Sequence, residues 1–266
     1  VSCPRILVFD SGIGGLSICQ QLIASPSAVQ LNYLSDNAAF PYGEKTAAEV
    51  IERACEVVEK AYRRLQPELV VIACNTASTV VLPSLRARLT VPVVGVVPAI
   101  KTAAQISKTQ TFGLLATPGT VSRVYTAKLI AKYASQCRVV SVGSSKLVRE
   151  AEQYMYGNPL NPLVLDDIIN SFEQHQYAST IDTVVLGCTH FPLLKQQLQA
   201  LKPNWQWIDS GAAIAARAFS LLDINAPQNN TAPVSHNFYY TLKNSNQSPL
   251  MPFIKAMNFG SAVFFE

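Results

Sequence analysis

The sequence predicts an α/β protein of two similar half-domains, each a mostly parallel sheet covered by helices, with a functional site between them. Three observations lead there. Short β-branched runs alternate with helix-length amphipathic segments along the chain, the pattern of βαβ units. The runs are apolar throughout rather than at every second residue, as strands covered on both faces must be. Finally, "VVIACNTAST" (70–79) is echoed by "VVLGCTHFPL" (184–193), and "VFDSGIGG" (8–15) by "WIDSGAAI" (207–214).

Taken in order, "RILVFD" reads as the first strand, with a helix over 16–24. "LNYLSD" follows, with a helix over 46–66 that is the clearest in the chain. There Ala47, Ile51, Ala54, Val58, Ala61 and Leu65 recur at spacings of four and three on one face. Glu49/Arg53, Glu56/Lys60 and Glu59/Arg63 place an acid four residues before a base on the solvated side. "LVVIACN" precedes a helix over 77–89, and "VPVVGVV" one over 98–107 that Pro98 opens. "FGLLAT" is followed by a helix over 120–133, "RVVSV" by helices over 145–156 and 163–176, "DTVVLGCT" by one over 192–202, and "WQWID" by one over 212–222. An Asn- and Pro-rich stretch at 225–235 reads as a loop. "HNFYYTL" and "SAVFFE" then read as edge strands around a short helix, returning to complete the sheet of the first half. Breaks after "VPVVGVVP" and near 209–211 divide the chain into residues 1–97 plus 210–266, which carry Cys74, and residues 98–209, which carry Cys188.

Of the 266 residues 49% are hydrophobic and only 14% charged, which excludes disorder and a coiled coil. The net charge of +4 comes from basic residues scattered singly or in pairs, without aromatic interleaving, so no nucleic-acid surface is expected. The N-terminus offers no secretory core and no run approaches the length of a membrane span, so no membrane partner is expected. Six cysteines at 3, 19, 55, 74, 137 and 188, with no CxxC pair, suggest reduced thiols in a cytoplasm.

Open α/β sheets take ligands at the carboxyl ends of their strands, and the echo brings Cys74 and Cys188 to that edge in both halves. "FDSGIGGL" lacks the GK[ST] of a P-loop and the GxGxxG of a dinucleotide fold. It offers Asp10, Ser11 and backbone N–H groups aimed at a small carboxylate, with glycines allowing close approach; a tight helix-capping turn is the alternative. Cys188 and His190 could ligate zinc, yet three histidines without CxxC or HxxxH spacing assemble no closed set, so no metal is expected. A Cys–His hydrolase pair would leave Cys74 idle. Two equivalent thiols suit inversion at carbon: one removes a proton from one face while the other delivers a proton to the opposite face. A free thiol titrates near about 8.5 and a helix N-terminus lowers that value, so both protonation states are accessible.

The motifs "VFDSGIGGLS", "YLSDNAAFPYGEKT", "VVIACNTAST", "PVVGVVPAIKTA", "GLLATPGTV" and "VVLGCTHFPLL", in this order, resemble the glutamate racemases of the aspartate/glutamate racemase superfamily from about residue 5 to 215. The resemblance implies cofactor-independent interconversion of L- and D-glutamate, supplying D-glutamate for peptidoglycan in a bacterial cytoplasm. It implies that Cys74 takes the α-proton of D-glutamate with help from Asp10, and that Cys188 takes that of L-glutamate, supported by His190 and Glu152. Glu150 is the alternative to Glu152, two residues away. Asp10, Ser11, Tyr42, Gly43, Asn75, Thr76, Thr189 and His190 match substrate-binding positions. A homodimer and activation by a cell-wall precursor are further family-level expectations. An aspartate or other amino-acid racemase of the superfamily, and a non-catalytic amino-acid binding or regulatory protein, are the alternative readings. No Lys or Arg stands within "VFDSGIGGLS", "VVIACNTAST" or "VVLGCTHFPLL" to stabilise a carbanion.

Overall fold

A computed structural model describes residues 3–25, 28–222 and 234–266. Two sheets organise them. The first contains β1 (Arg5–Asp10), β2 (Gln30–Ser35), β3 (Leu69–Ile72), β4 (Val93–Gly95), β9 (His236–Tyr240) and β10 (Phe259–Phe264), in the order β10-β9-β2-β1-β3-β4. The second contains β5 (Thr111–Ala116), β6 (Arg138–Gly143), β7 (Thr183–Leu186) and β8 (Gln206–Ile208), in the order β6-β5-β7-β8. All the paired strands run parallel.

The unbroken apolar runs fill both faces of each sheet. Ile6, Val8 and Val71 pack into one core of the first sheet, while Leu7, Phe9, Val70 and Ile72 pack into another on its opposite face. In the second sheet Leu115, Val184 and Leu186 face one core, and Leu114, Ala116 and Val185 the other. Full burial of such side chains stabilises by about 1.5–3 kcal/mol each, before conformational entropy is counted. Because period-2 strands feed two cores, neither face can be polar.

The helix Ala47–Leu65 starts with a capping box in which Thr46 accepts from the Glu49 N–H and Glu49 accepts from the Thr46 N–H. Two predicted helices are broken. The segment 77–89 forms Asn75–Ser78 and Leu82–Arg88, with Pro83 in the first turn of the second. The segment 120–133 forms Pro118–Ser122 and Val124–Tyr133, separated by Arg123 in an extended conformation. Pro98 does not open its helix, which begins at Ile100. The segment 192–202 begins as a 3₁₀ turn, Phe191–Leu194, before Lys195–Leu201. The tail does join the first sheet, but β9 lies between β2 and β10, so of the two tail strands only β10 lies at an edge. Most of the predicted loop 225–235 lies outside the described residues. No helix among the described residues is long and apolar enough to cross a membrane.

In each sheet the strand order reverses around a central strand, β1 in the first and β5 in the second. Crevices at such switch points receive ligands. Asp10 and Cys74 stand at the ends of β1 and β3; Thr117 and Cys188 stand at the ends of β5 and β7.

Candidate active site

Asp10 is fully buried. Its Oδ1 accepts from the Ser11 N–H (2.7 Å), and its Oδ2 accepts from the Gly15 N–H (2.6 Å) and from the Thr189 hydroxyl of the opposite half (3.2 Å). Burial raises its pKa; the His190 charge, the Ser11 N–H, Cys74 and the Gly15 N–H pull the other way. The glycine loop therefore differs from the sequence expectation. Its Ser11 and Gly15 N–H groups serve Asp10, and the Ile13 N–H donates to Glu152 Oε2 (3.0 Å). These donors hold two protein carboxyls and are not aimed at a ligand carboxylate.

Cys74 precedes the short helix Asn75–Ser78, with its Sγ 3.9 Å from the Ser11 hydroxyl. Burial pushes its thiol pKa well up, with further upward contributions from Asp10 and Cys188, while the Ala77 N–H favours the thiolate.

Cys188 Sγ lies 3.8 Å from His190 Nδ1, and His190 Nε2 lies 2.6 Å from Glu152 Oε2. With Nε2 donating to Glu152, Nδ1 can exchange a proton with the thiol. Burial opposes charge on His190, but its contacts with Cys188 and Glu152 prevail and hold its pKa well above the ordinary imidazole value. The chain of contacts runs Cys188, His190, Glu152, Ile13 and so crosses from one half to the other. Close approach is possible because of Gly12 and Gly14: a methyl on Gly12 would lie 2.6 Å from Glu152 Oε2, and one on Gly14 would lie 2.7 Å from the His190 backbone nitrogen. Glu150, the alternative to Glu152, accepts instead from the Asn161 N–H at the surface.

The remaining predicted residues surround these two centres. Tyr42 is buried and donates to Asp36 Oδ2 (2.7 Å); burial, then Asp36, drives its pKa far up, so it stays a neutral donor. Gly43 packs against Thr117. The Thr76 hydroxyl lies 3.0 Å from that of Thr117. Asn75 is buried and its Oδ1 has no hydrogen-bond partner, a cost of about 1–3 kcal/mol that a ligand donor would relieve.

Sequence reasoning missed several supporting residues. Buried Asp36 receives the Arg53 guanidinium through two bonds (2.6 and 3.0 Å) and the Thr241 hydroxyl (2.7 Å), so Arg53 turns away from Glu49 toward the Tyr42 loop. Tyr33 donates to the Gly12 carbonyl (2.7 Å). Thr117 had a detectable signal, because it ends a strand as Asp10 does.

Comparison with known proteins decides the family. The Asp/Glu/Hydantoin racemase family model matches residues 8–218. The chain belongs to this family. It is 44% identical over 263 residues to the glutamate racemase of Pectobacterium atrosepticum, covering 98% of this chain and 90% of the relative. The structure of Escherichia coli glutamate racemase in complex with L-glutamate and the activator UDP-MurNAc-Ala superposes with a TM-score of 0.90 at 40% identity, covering 99% and 98% of the two chains. The glutamate racemase of Francisella tularensis in complex with D-glutamate gives a TM-score of 0.79 at 26% identity, covering 99% of this racemase and 97% of that chain.

Proposed function

We propose that the enzyme interconverts L- and D-glutamate by proton transfer between two cysteines, without a cofactor. The observation that carries this reading is the placement of Cys74 and Cys188 at matching strand ends of the two sheets, each beside its own acid–base partner. The half-domains are residues 1–97 plus 210–266 and residues 98–209, and substrate lies between them.

From D-glutamate, the Cys74 thiolate takes the α-hydrogen as a proton. As the C–H bond breaks, its electron pair delocalises toward the α-carboxylate and the carbon flattens. The Cys188 thiol then gives its proton to the opposite face, leaving Cys188 as thiolate. L-glutamate reacts by the reverse route. Asp10 manages the proton on Cys74; His190, oriented by Glu152, manages the proton on Cys188. Ser11, Tyr42, Gly43, Asn75, Thr76 and Thr189 hold the substrate, with Asn75 Oδ1 available to its ammonium group.

By similarity to the E. coli enzyme, the product D-glutamate enters peptidoglycan synthesis in the bacterial cytoplasm, and a cell-wall precursor such as UDP-MurNAc-Ala is an activator. Homodimer formation belongs to the same proposal. The test is incubation in deuterated water with each enantiomer of glutamate and aspartate, without pyridoxal phosphate or metal. Both glutamate enantiomers should take up deuterium at the α-carbon. Aspartate, one methylene shorter, should react about 10- to 200-fold less efficiently. A preference for aspartate, or no exchange with glutamate, overturns the reading.

A further inference from the structure

We propose that Arg123 is a positioning residue that clamps the turn Cys74–Asn75–Thr76 to the opposite half-domain and brings to it a cationic charge that neither cysteine motif contains. This rests on the racemase reading of the site and adds a residue to it.

Arg123 is extended (φ −77°, ψ 142°) between Pro118–Ser122 and Val124–Tyr133, whereas the local pattern favours one continuous helix over 120–133. The break directs its side chain across to the first half. There Nη1 donates both to the Thr76 carbonyl (2.5 Å) and to the Thr79 hydroxyl (2.6 Å). Such charge-assisted bonds are roughly twice as strong as neutral ones.

The neighbouring residues reinforce the same docking. The Thr117 hydroxyl lies 3.0 Å from that of Thr76 and accepts from the Thr120 N–H (3.1 Å). Gly119 approaches the second substrate turn so closely that a methyl there would lie 3.1 Å from the Gly43 carbonyl oxygen. Segment 117–123 therefore touches both turns assigned to the substrate, from the half-domain that carries the other thiol.

The charge is also free to act. Among the described residues, Arg123 forms no salt bridge. It is half-buried, and burial lowers its pKa while the charge of Cys74 raises it, so the two groups interact. Around Cys74 the other titratable groups are Asp10 from β1, Cys188 from β7 and Tyr42 from the loop after β2. His190, from the turn after β7, is the cation whose charge acts on Asp10, and Arg123 is the guanidinium that interacts with Cys74.

The experiment compares wild type, Arg123→Gln, Arg123→Lys and Thr79→Val by racemisation kinetics and by alkylation of Cys74 with iodoacetamide as a function of pH, mapped by peptide mass. The midpoint of alkylation reports ionisation independently of how accessible the thiol is. Arg123→Gln should raise the KM for both enantiomers, lower kcat/KM by about 10- to 100-fold, and move the Cys74 midpoint upward. Arg123→Lys should restore the midpoint but not the KM, because an ammonium cannot reproduce the guanidinium geometry. Thr79→Val, which leaves the guanidinium in place, should raise the KM by about 2- to 10-fold.

The proposal is overturned if Arg123→Gln leaves both the KM and the midpoint at wild-type values, or lowers activity only in proportion to folded protein. Should Arg123→Gln not fold, Arg123→Lys and Thr79→Val carry the same decision through the KM. A wild-type enzyme inactive on glutamate would sink the substrate assignment instead, and the alkylation midpoint would still judge Arg123.

Discussion

Cys74 and Cys188 occupy matching positions on two similar sheets, yet their partners are opposite in kind. Cys74 sits near a carboxyl group, Asp10, which raises its pKa further above what burial imposes. Cys188 sits 3.8 Å from an imidazole that is held charged with the help of Glu152. The internal echo is one of fold and not of chemistry. Asp209, the counterpart of Asp10 in the sequence echo, accepts from the Gly211 N–H and lies 3.9 Å from Lys195. The carboxyl group favours the neutral thiol at Cys74, whereas a charged imidazole stands beside Cys188, so the two centres are electrostatically unlike although the enantiomers they interconvert are equal in energy.

This asymmetry can be broken one side at a time. Asp10→Asn and His190→Asn should each lower kcat/KM by roughly 10²–10⁴-fold, the usual range for loss of acid–base assistance. Because the enantiomers are equal in energy, kcat/KM must fall equally in both directions. The separate effects emerge in isotope effects: Asp10→Asn should enlarge the effect with α-deuterated D-glutamate, and His190→Asn with α-deuterated L-glutamate. Equal enlargement for both substrates in both variants would show that the two centres are not independent.

A smaller difference between the halves lies in how their loops are supported. The Tyr42 loop is held by Asp36, which Arg53 and Thr241 satisfy. Arg53→Met should cost about 2–3 kcal/mol, less than a fully buried pair because Arg53 reaches solvent, and should raise the KM. Chemical denaturation and steady-state kinetics measure the two effects; an unchanged KM would detach the loop from substrate binding.

The least effect is expected at the tail strand that only the first sheet possesses. His236 on β9 accepts from the Leu31 N–H of β2 through Nδ1 (3.3 Å), and burial lowers its pKa to about 4. A folded-state pKa below the unfolded value means that stability is complete above about 6.5 and is lost as pH falls toward 4. The loss attributable to His236 should be about 2 kcal/mol and should be absent in His236→Gln, read by denaturant melts across this range. His190 has the opposite sign: its contribution is complete below the unfolded imidazole pKa and is lost as pH rises through the elevated folded value.

The sheets and most helices were legible because strands buried on both faces must be apolar throughout, and because the stripe from Ala47 to Leu65 leaves no competing period. The two thiols, Asp10 and His190 were legible because they stand where strands end. What was hidden depended on contacts across the fold. Glu49, four residues before Arg53, suggested a local pair, but Glu49 is occupied in the capping box and Asp36 lies buried within reach. Nothing local interrupts 120–133 at Arg123; the interruption is stabilised by Thr76 and Thr79, more than forty residues away. Likewise the glycine loop reads as a ligand cradle until Glu152 and Asp10 are seen to take its N–H groups.

The most direct test of the central claim is deuterium uptake from solvent and racemisation by Cys74→Ala and Cys188→Ala, each assayed with L- and D-glutamate. Both variants should lose racemisation by at least about 10³-fold in both directions, since either sulfur alone can serve only one face. Sustained racemisation by either variant, within an order of magnitude of wild type, would contradict the two-thiol account.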